Sequence, residues 1–132
     1  MTNSFTLLVS SVLNKNVKSY GKQFMFDSDC ETCWNSDSGS PQWVLVSFPE
    51  EVCLSLVQIQ FQGGFAGLKC YLEAGPDTKD LGHVENIYPE DINSIQEFKL
   101  SSPVKSKVFK IVFETSTDFF GRIVIYQLSL FS

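Results

Sequence analysis

The sequence predicts an all-β domain, and three observations carry that prediction. Segments that alternate apolar and polar residues with period two recur through most of the chain, and no segment sustains the 3.6-residue apolar stripe of an amphipathic helix. Clusters of Gly, Pro, Asp and Ser separate these segments, as turns between strands require. The composition is that of a packed β-protein: 14% of the residues are aromatic, with twelve Phe, and only 19% are charged. At 132 residues the chain has the size of one domain, 1–132, and can bury a continuous core without metal or disulfide staples.

The expected strands follow in order. Phe5–Ser10 opens the series. Tyr20–Asp29 fits neither period and is read as a compact loop or a short helical turn. Gln42–Phe48 is the next strand, and Val57–Gln62 is the clearest, with Val57, Ile59 and Phe61 on one face and three glutamines on the other. Cys70–Ala74, His83–Tyr88 and Ile95–Leu100 follow. In Lys107–Glu114, Phe109, Ile111 and Phe113 oppose Val108, Lys110 and Val112, so part of the second face is also expected to be buried. Ile123–Phe131 is apolar on both faces, which predicts a central position in a sheet. Turns are placed at Ser36–Pro41, Phe48–Glu51, Gly63-Gly64, Gly75-Pro76-Asp77 and Ser101-Ser102-Pro103.

Charge narrows the function. Fifteen acidic against ten basic residues give a net charge of −5 with no basic run, which excludes direct binding of nucleic-acid phosphates. Met1–Phe5 lacks the features of a secretory signal and no apolar run reaches membrane-spanning length, so an intracellular protein without a membrane partner is expected. Free thiols are then expected at Cys30, Cys33, Cys53 and Cys70. Cys30 and Cys33 have the spacing of a zinc half-site but lack a second half, and Cys53 and Cys70 are read as small buried strand residues.

The run Phe26-Asp27-Ser28-Asp29-Cys30-Glu31-Thr32-Cys33-Trp34-Asn35-Ser36, followed by Pro41-Gln42-Trp43-Val44 and Phe48, resembles the amino-terminal signature of discoidin or coagulation-factor type C domains. That signature is an apolar-Asp-x-Asp turn, Thr-x-Trp, a polar loop, and Gln-Trp opening a strand. The resemblance extends over the whole chain and implies a jelly-roll, galactose-binding-like β-sandwich of about eight antiparallel strands. Glu31–Ser36, Gln58–Phe65, Tyr88–Asp91 and Thr117–Tyr126 are similar more narrowly to small proteins associated with an orphan nuclear receptor. The likeness implies an orphan nuclear receptor as partner, repression of receptor-driven transcription, and a nuclear location, with the cytoplasm as a second.

Many discoidin-like domains hold a structural calcium ion in the Asp-x-Asp…Thr turn, closed by an acidic residue of the final strand. The matching positions are Asp27, Asp29, Thr32 and Gln127, and Gln127 departs from the pattern by supplying a neutral carboxamide, which weakens affinity for a hard cation. The alternative is a turn ordered without metal, through Asx-type hydrogen bonds. Trp34 and Trp43 are expected in the core, sealing the end beside this turn. Phe65, Leu68 and Phe119 are expected in loops, the first place to look for a partner or ligand surface; Phe65 and Phe119 either serve that surface or tuck back under their own loops, and Phe120 is expected to tuck. Arg122 beside Asp118 is either a local ion pair or an anion contact.

Catalytic motifs are absent from the sequence, and the only histidine, His83, has no neighbouring nucleophile. The leading expectation is a non-enzymatic protein-interaction module. The alternatives are a carbohydrate- or small-ligand-binding module and a subunit of a larger intracellular assembly.

Overall fold

The computed structural model describes residues 5–132; the leader reading of Met1–Phe5 lies, up to Ser4, outside them. The strands are β1 (Thr6–Val9), β2 (Trp34–Asn35), β3 (Gln42–Phe61), β4 (Gly67–Asp77), β5 (Asp80–Ile87), β6 (Ile95–Ser116) and β7 (Val124–Phe131). All pair antiparallel.

Two strands are far longer than an ordinary strand: β3 has 20 residues and β6 has 22. Their mutual register breaks between Ser47 and Val52 and again between Leu54 and Leu56, around the Pro49-Glu50-Glu51 turn anticipated from sequence. Each strand bends there and serves both sheets of a sandwich. One sheet runs β1, first half of β3, second half of β6, β4, β5. The other runs β2, β7, second half of β3, first half of β6. The Gln42–Phe48 and Val57–Gln62 segments are thus two ends of one strand, as are Ile95–Leu100 and Lys107–Glu114.

The core lies between the inner faces. Val44, Val46 and Phe48 alternate inward at one end of β3, and Val57, Ile59 and Phe61 at the other. Phe109, Ile111 and Phe113 of β6 meet them, with Phe61 edge-on to Phe113 at 5.8 Å and Phe48 edge-on to Phe109 at 6.2 Å. Val108 and Val112 are buried on the opposite face of β6, as the double-sided pattern predicts.

Three expectations need correction. β7 is not central: β2 pairs only with Val124 and Ile125, and β3 pairs along the other side. Its two-sided apolar pattern has another cause. Gln60 faces Gln127 while Phe61 faces Ile125, so Tyr126 is the extra residue of a β-bulge. The inward set shifts from Ile123 and Ile125 to Leu128 and Leu130, and all four are buried. Trp34 is fully buried, with its indole N–H donating to the Ser11 carbonyl at 2.9 Å, but Trp43 is not in the core. Trp43 shares parity with Leu45 on the outer face, where the Lys110 ammonium lies 4.8 Å from its ring centroid. Cys53 is exposed, whereas Cys70 is buried.

Between β1 and β2 the chain forms a short helix α1 (Val17–Tyr20), capped by the Asn16 side chain accepting from the Ser19 N–H, and 3-10 turns at Leu13–Lys15 and Lys22–Met25. The last of these is the helical turn expected within Tyr20–Asp29, and its Met25 enters the core.

Candidate functional site

The sandwich end at which β3 begins gathers the loops 36–41, 62–66 and 117–123, and backbone hydrogen bonds lace them together. Gly39 N–H donates to the Phe120 carbonyl at 2.7 Å, Val124 N–H to Phe65 at 3.1 Å and Thr117 N–H to Ala66 at 2.9 Å. Gly121 is required at its place: its φ is +85°, and a Cβ there would lie 2.6 Å from the Gly39 carbonyl oxygen. Gln42, only 4% exposed, uses all four of its hydrogen-bonding valences here. Its Oε1 accepts from the hydroxyls of Ser10 and Ser11, and its Nε2 donates to the carbonyls of Asp37 (3.1 Å) and Gly39 (2.9 Å). Ser36, fully buried, accepts from Ile123 N–H at 2.8 Å. A rigid network thus stands beneath the loop tips.

On this base sits an aromatic and cationic tip. Phe119 is 92% exposed and Phe120 61%, their rings edge-to-face at 5.2 Å. The Arg122 guanidinium lies 5.1 Å from the Phe65 ring centroid and 5.7 Å from that of Phe120. Asp118 holds it in a fork, Nε to Oδ2 at 3.0 Å and Nη2 to Oδ1 at 3.3 Å, while Asp118 Oδ2 also accepts from Arg122 N–H. The side-chain hydrogen bonding of this fork holds the Asp118 carboxyl below the ordinary 3.8 and raises the guanidinium further. Of the two readings of Arg122 the structure shows the ion pair, which fixes the guanidinium beside the Phe65 and Phe120 rings.

Phe65, Asp118, Phe119 and Arg122 lie together in these loops, and two expectations about their neighbours need correction. Phe120 does not tuck away but shares the exposed tip. Leu68 is not in a loop: it sits in β4 at a register break between Gly67 and Lys69, and is exposed there. Tyr88, 79% exposed, was not singled out from sequence. Neighbouring Asp91 and Asn93 accept from the Gly64 and Gly63 N–H groups, tying that loop to the turn before Phe65.

The Asp27–Thr32 turn is built separately, beside β7. Asp27 Oδ1 accepts from Asp29 N–H at 3.0 Å and Oδ2 from the Thr32 hydroxyl at 2.6 Å; Asp29 Oδ1 accepts from Glu31 N–H at 2.9 Å. Ser28 takes a left-handed φ of 61° to make the turn. The Thr32 hydroxyl bond holds the Asp27 carboxyl below its ordinary value. Asp29 and Gln127 line one cleft of about 50 Å³, with Gln60, whose carboxamide oxygen accepts from Gln127 at 3.0 Å. The donor set is hard oxygen, as calcium requires. Yet both oxygens of Asp27 already accept protein donors, the Thr32 hydroxyl points its proton at one of them, and no cluster of three Asp, Glu, His or Cys side chains converges among the described residues. As it stands the turn fits its own Asx-type bonds and does not fit a calcium ion.

The fold and the laced loop end define a galactose-binding-like jelly-roll domain of the discoidin class. The family 32 carbohydrate-binding module of Clostridium perfringens NanJ, solved with galactose, superposes with a TM-score of 0.78 at 17% identity, covering 96% of this chain and 92% of its own. A second C. perfringens module, in complex with GalNAc-β-1,3-galactose, gives 0.81 at 14% identity, covering 97% and 95%. At such identities the likeness is one of fold. No protein-family model matches the chain. Proteins named nuclear receptor 2C2-associated protein are similar to it over most of their length. That of Danio rerio is 55% identical over 128 residues, 97% of this chain and 91% of its own. That of Homo sapiens is 49% identical over 120 residues, 91% and 86%. The chain belongs to the nuclear receptor 2C2-associated protein family.

Proposed function

We propose that this chain is a non-enzymatic interaction module that binds an orphan nuclear receptor in the nucleus and represses the transcription it drives, with the Phe65–Phe119–Phe120–Arg122 tip as the contact surface. The observation that carries the reading is the exposure of the adjacent Phe119 and Phe120, the latter beside an arginine fixed by Asp118. Aromatic residues and arginine dominate binding hot spots, and a guanidinium already held in place loses little freedom on association. The names of the relatives supply the partner class. His83, an obvious candidate for acid–base work, is exposed on β5, bonded to Asn86 at 2.8 Å and 5.5 Å from the Tyr71 ring, in keeping with a binding role.

The test is biolayer interferometry of immobilised receptor 2C2 against wild type, Phe119→Ala and Arg122→Ala. Binding by wild type, weakened at least tenfold in either variant, is expected. A receptor that ignores the wild-type protein sinks the reading, and equal binding by all three sinks the surface. The exposed rings could equally stack on a sugar face, so a glycan array with the same variants separates the carbohydrate-binding alternative.

A further inference from the structure

The edge of β7 is open where β2 stops. β2 pairs with Val124 and Ile125 alone, and from Tyr126 to Phe131 no strand among the described residues lies on that side. Alternate residues of a strand direct N–H and C=O groups to each side, so this stretch presents a row of unpaired backbone groups. Other edges of the sandwich are blunted. β1 has only four residues, and β5 carries Asp80, His83 and Glu85. β7 has neither charge nor proline.

The Lys22–Met25 turn packs against β7 and the Asp27–Thr32 turn lies beside it, and a cleft is left along Leu128–Phe131. It measures about 340 Å³, and Phe5 and Phe26 face Leu128, Leu130 and the 40% exposed Phe131 across it. Phe5 and Phe26 pack with tilted rings, centroids 5.1 Å apart, and form its apolar wall. At the Tyr126 end a second, separate cleft of about 50 Å³ is polar, lined by Asp29, Gln60 and Gln127. The edge therefore offers unpaired backbone groups, with an apolar cleft at one end and a carboxylate at the other.

We propose that the β7 edge is a strand-addition site for an extended segment of a partner protein, with large apolar side chains at alternate positions and a basic residue at its carboxyl-terminal end. Every strand pair in this fold is antiparallel, and an antiparallel guest places its carboxyl-terminal end beside Asp29. The same charge argues against a second copy: β7 pairing with itself would bring Phe131, not a cation, to Asp29. This surface is distinct from the loop tip and does not depend on its role.

The probe is a fluorescein-labelled peptide of about eight residues, alternating threonine with valine or isoleucine and ending in two lysines. Fluorescence anisotropy and amide hydrogen exchange of the full chain are read together. Saturable binding is expected, with exchange of alternate amides between Gln127 and Phe131 slowed at least tenfold. Asp29→Asn keeps the acceptor for Glu31 N–H and removes the charge; it should weaken binding at least threefold, as should Phe131→Ala, whereas Phe119→Ala should bind as wild type does. The proposal is overturned if a peptide of the same composition without the alternation binds equally, or if protection appears at 62–66 and 117–123 instead. It is overturned equally if the outward-facing β7 amides, those not bonded to β3, are already protected in the free monomer, or if the free protein is a dimer that loses this protection on dilution.

Discussion

Replacing Gln42 by leucine should cost this domain a large fraction of its stability although no core hydrophobe is touched. Four hydrogen bonds disappear together, two to serine hydroxyls and two to loop carbonyls. The serine hydroxyls also accept from Trp43 N–H and Asp37 N–H, so they keep those bonds but lose the acceptor for their own protons. At about 1 kcal/mol net per bond, offset in part by the apolar transfer of leucine and by water reaching the half-buried serines, the expected loss is about 3 kcal/mol. That corresponds to a fall in Tm of roughly 10 °C for a domain of this size. Gln42→Glu should fare no better at neutral pH, because it keeps the acceptors but aims a carboxylate at two carbonyls. Its folded-state pKa must then lie above the unfolded value, so the deficit should shrink as pH falls and the introduced carboxyl regains a proton to donate. Urea unfolding of the three proteins at pH 7 and pH 5 measures both effects. A loss below about 1 kcal/mol in Gln42→Leu would refute the view that this side chain ties the loop end together.

The other expectations concern separate parts of the molecule. Phe61→Ala, deep between the sheets and edge-on to Phe113, should lose about 3–5 kcal/mol in denaturant unfolding, while Phe119→Ala should stay within about 0.5 kcal/mol of wild type. Asp27 and Asp118 have folded pKa values below the ordinary 3.8, so their stabilisation is complete above that value and is lost as pH falls through the lowered ones. A scan of Tm against pH should therefore be flatter at the acid end for Asp27→Asn with Asp118→Asn than for wild type. Thiol labelling of the native protein at pH 8 should modify the exposed Cys30 and Cys53 first and Cys33, its thiol raised by burial, more slowly. Cys70, pushed up to about 12 by burial, should react only on unfolding. Millimolar calcium or a chelator should leave Tm within about 1 °C, and a calcium-dependent rise lost in Asp27→Ala would show that the turn reorganises around a cation.

Where the alternation is uninterrupted, sequence and structure agree residue by residue: Val57, Ile59 and Phe61 face inward, and Val108 and Val112 fill the second face of β6. The misreadings arise where one residue breaks the period or where both faces look alike. Tyr126 interrupts β7, and an inserted residue makes a one-sided strand resemble a two-sided one. Trp43 lies in a run where Val44 and Leu45 are both buried, so hydrophobicity does not distinguish the faces. The parity of Gln42, Val44, Val46 and Phe48 would have placed it outside, had a buried glutamine been credited with satisfying four partners. Phe119 and Phe120 were legible as loop aromatics. The clamp that Asp118 places on Arg122 depends on the turn through Gly121, whose geometry no periodicity reveals.

Because β3 and β6 each belong to both sheets, neither layer can detach while the other remains. A fragment boundary anywhere within these strands would cut both layers, so no half of the sandwich is expected to survive alone. Melting should be all-or-none, and whatever grips the loop tip must raise the unfolding free energy of the entire domain. A fluorescent reporter such as Trp34, buried within the fold, will then register a ligand engaged at the loop tip as a shift of the whole unfolding transition, provided the ligand prefers the folded chain.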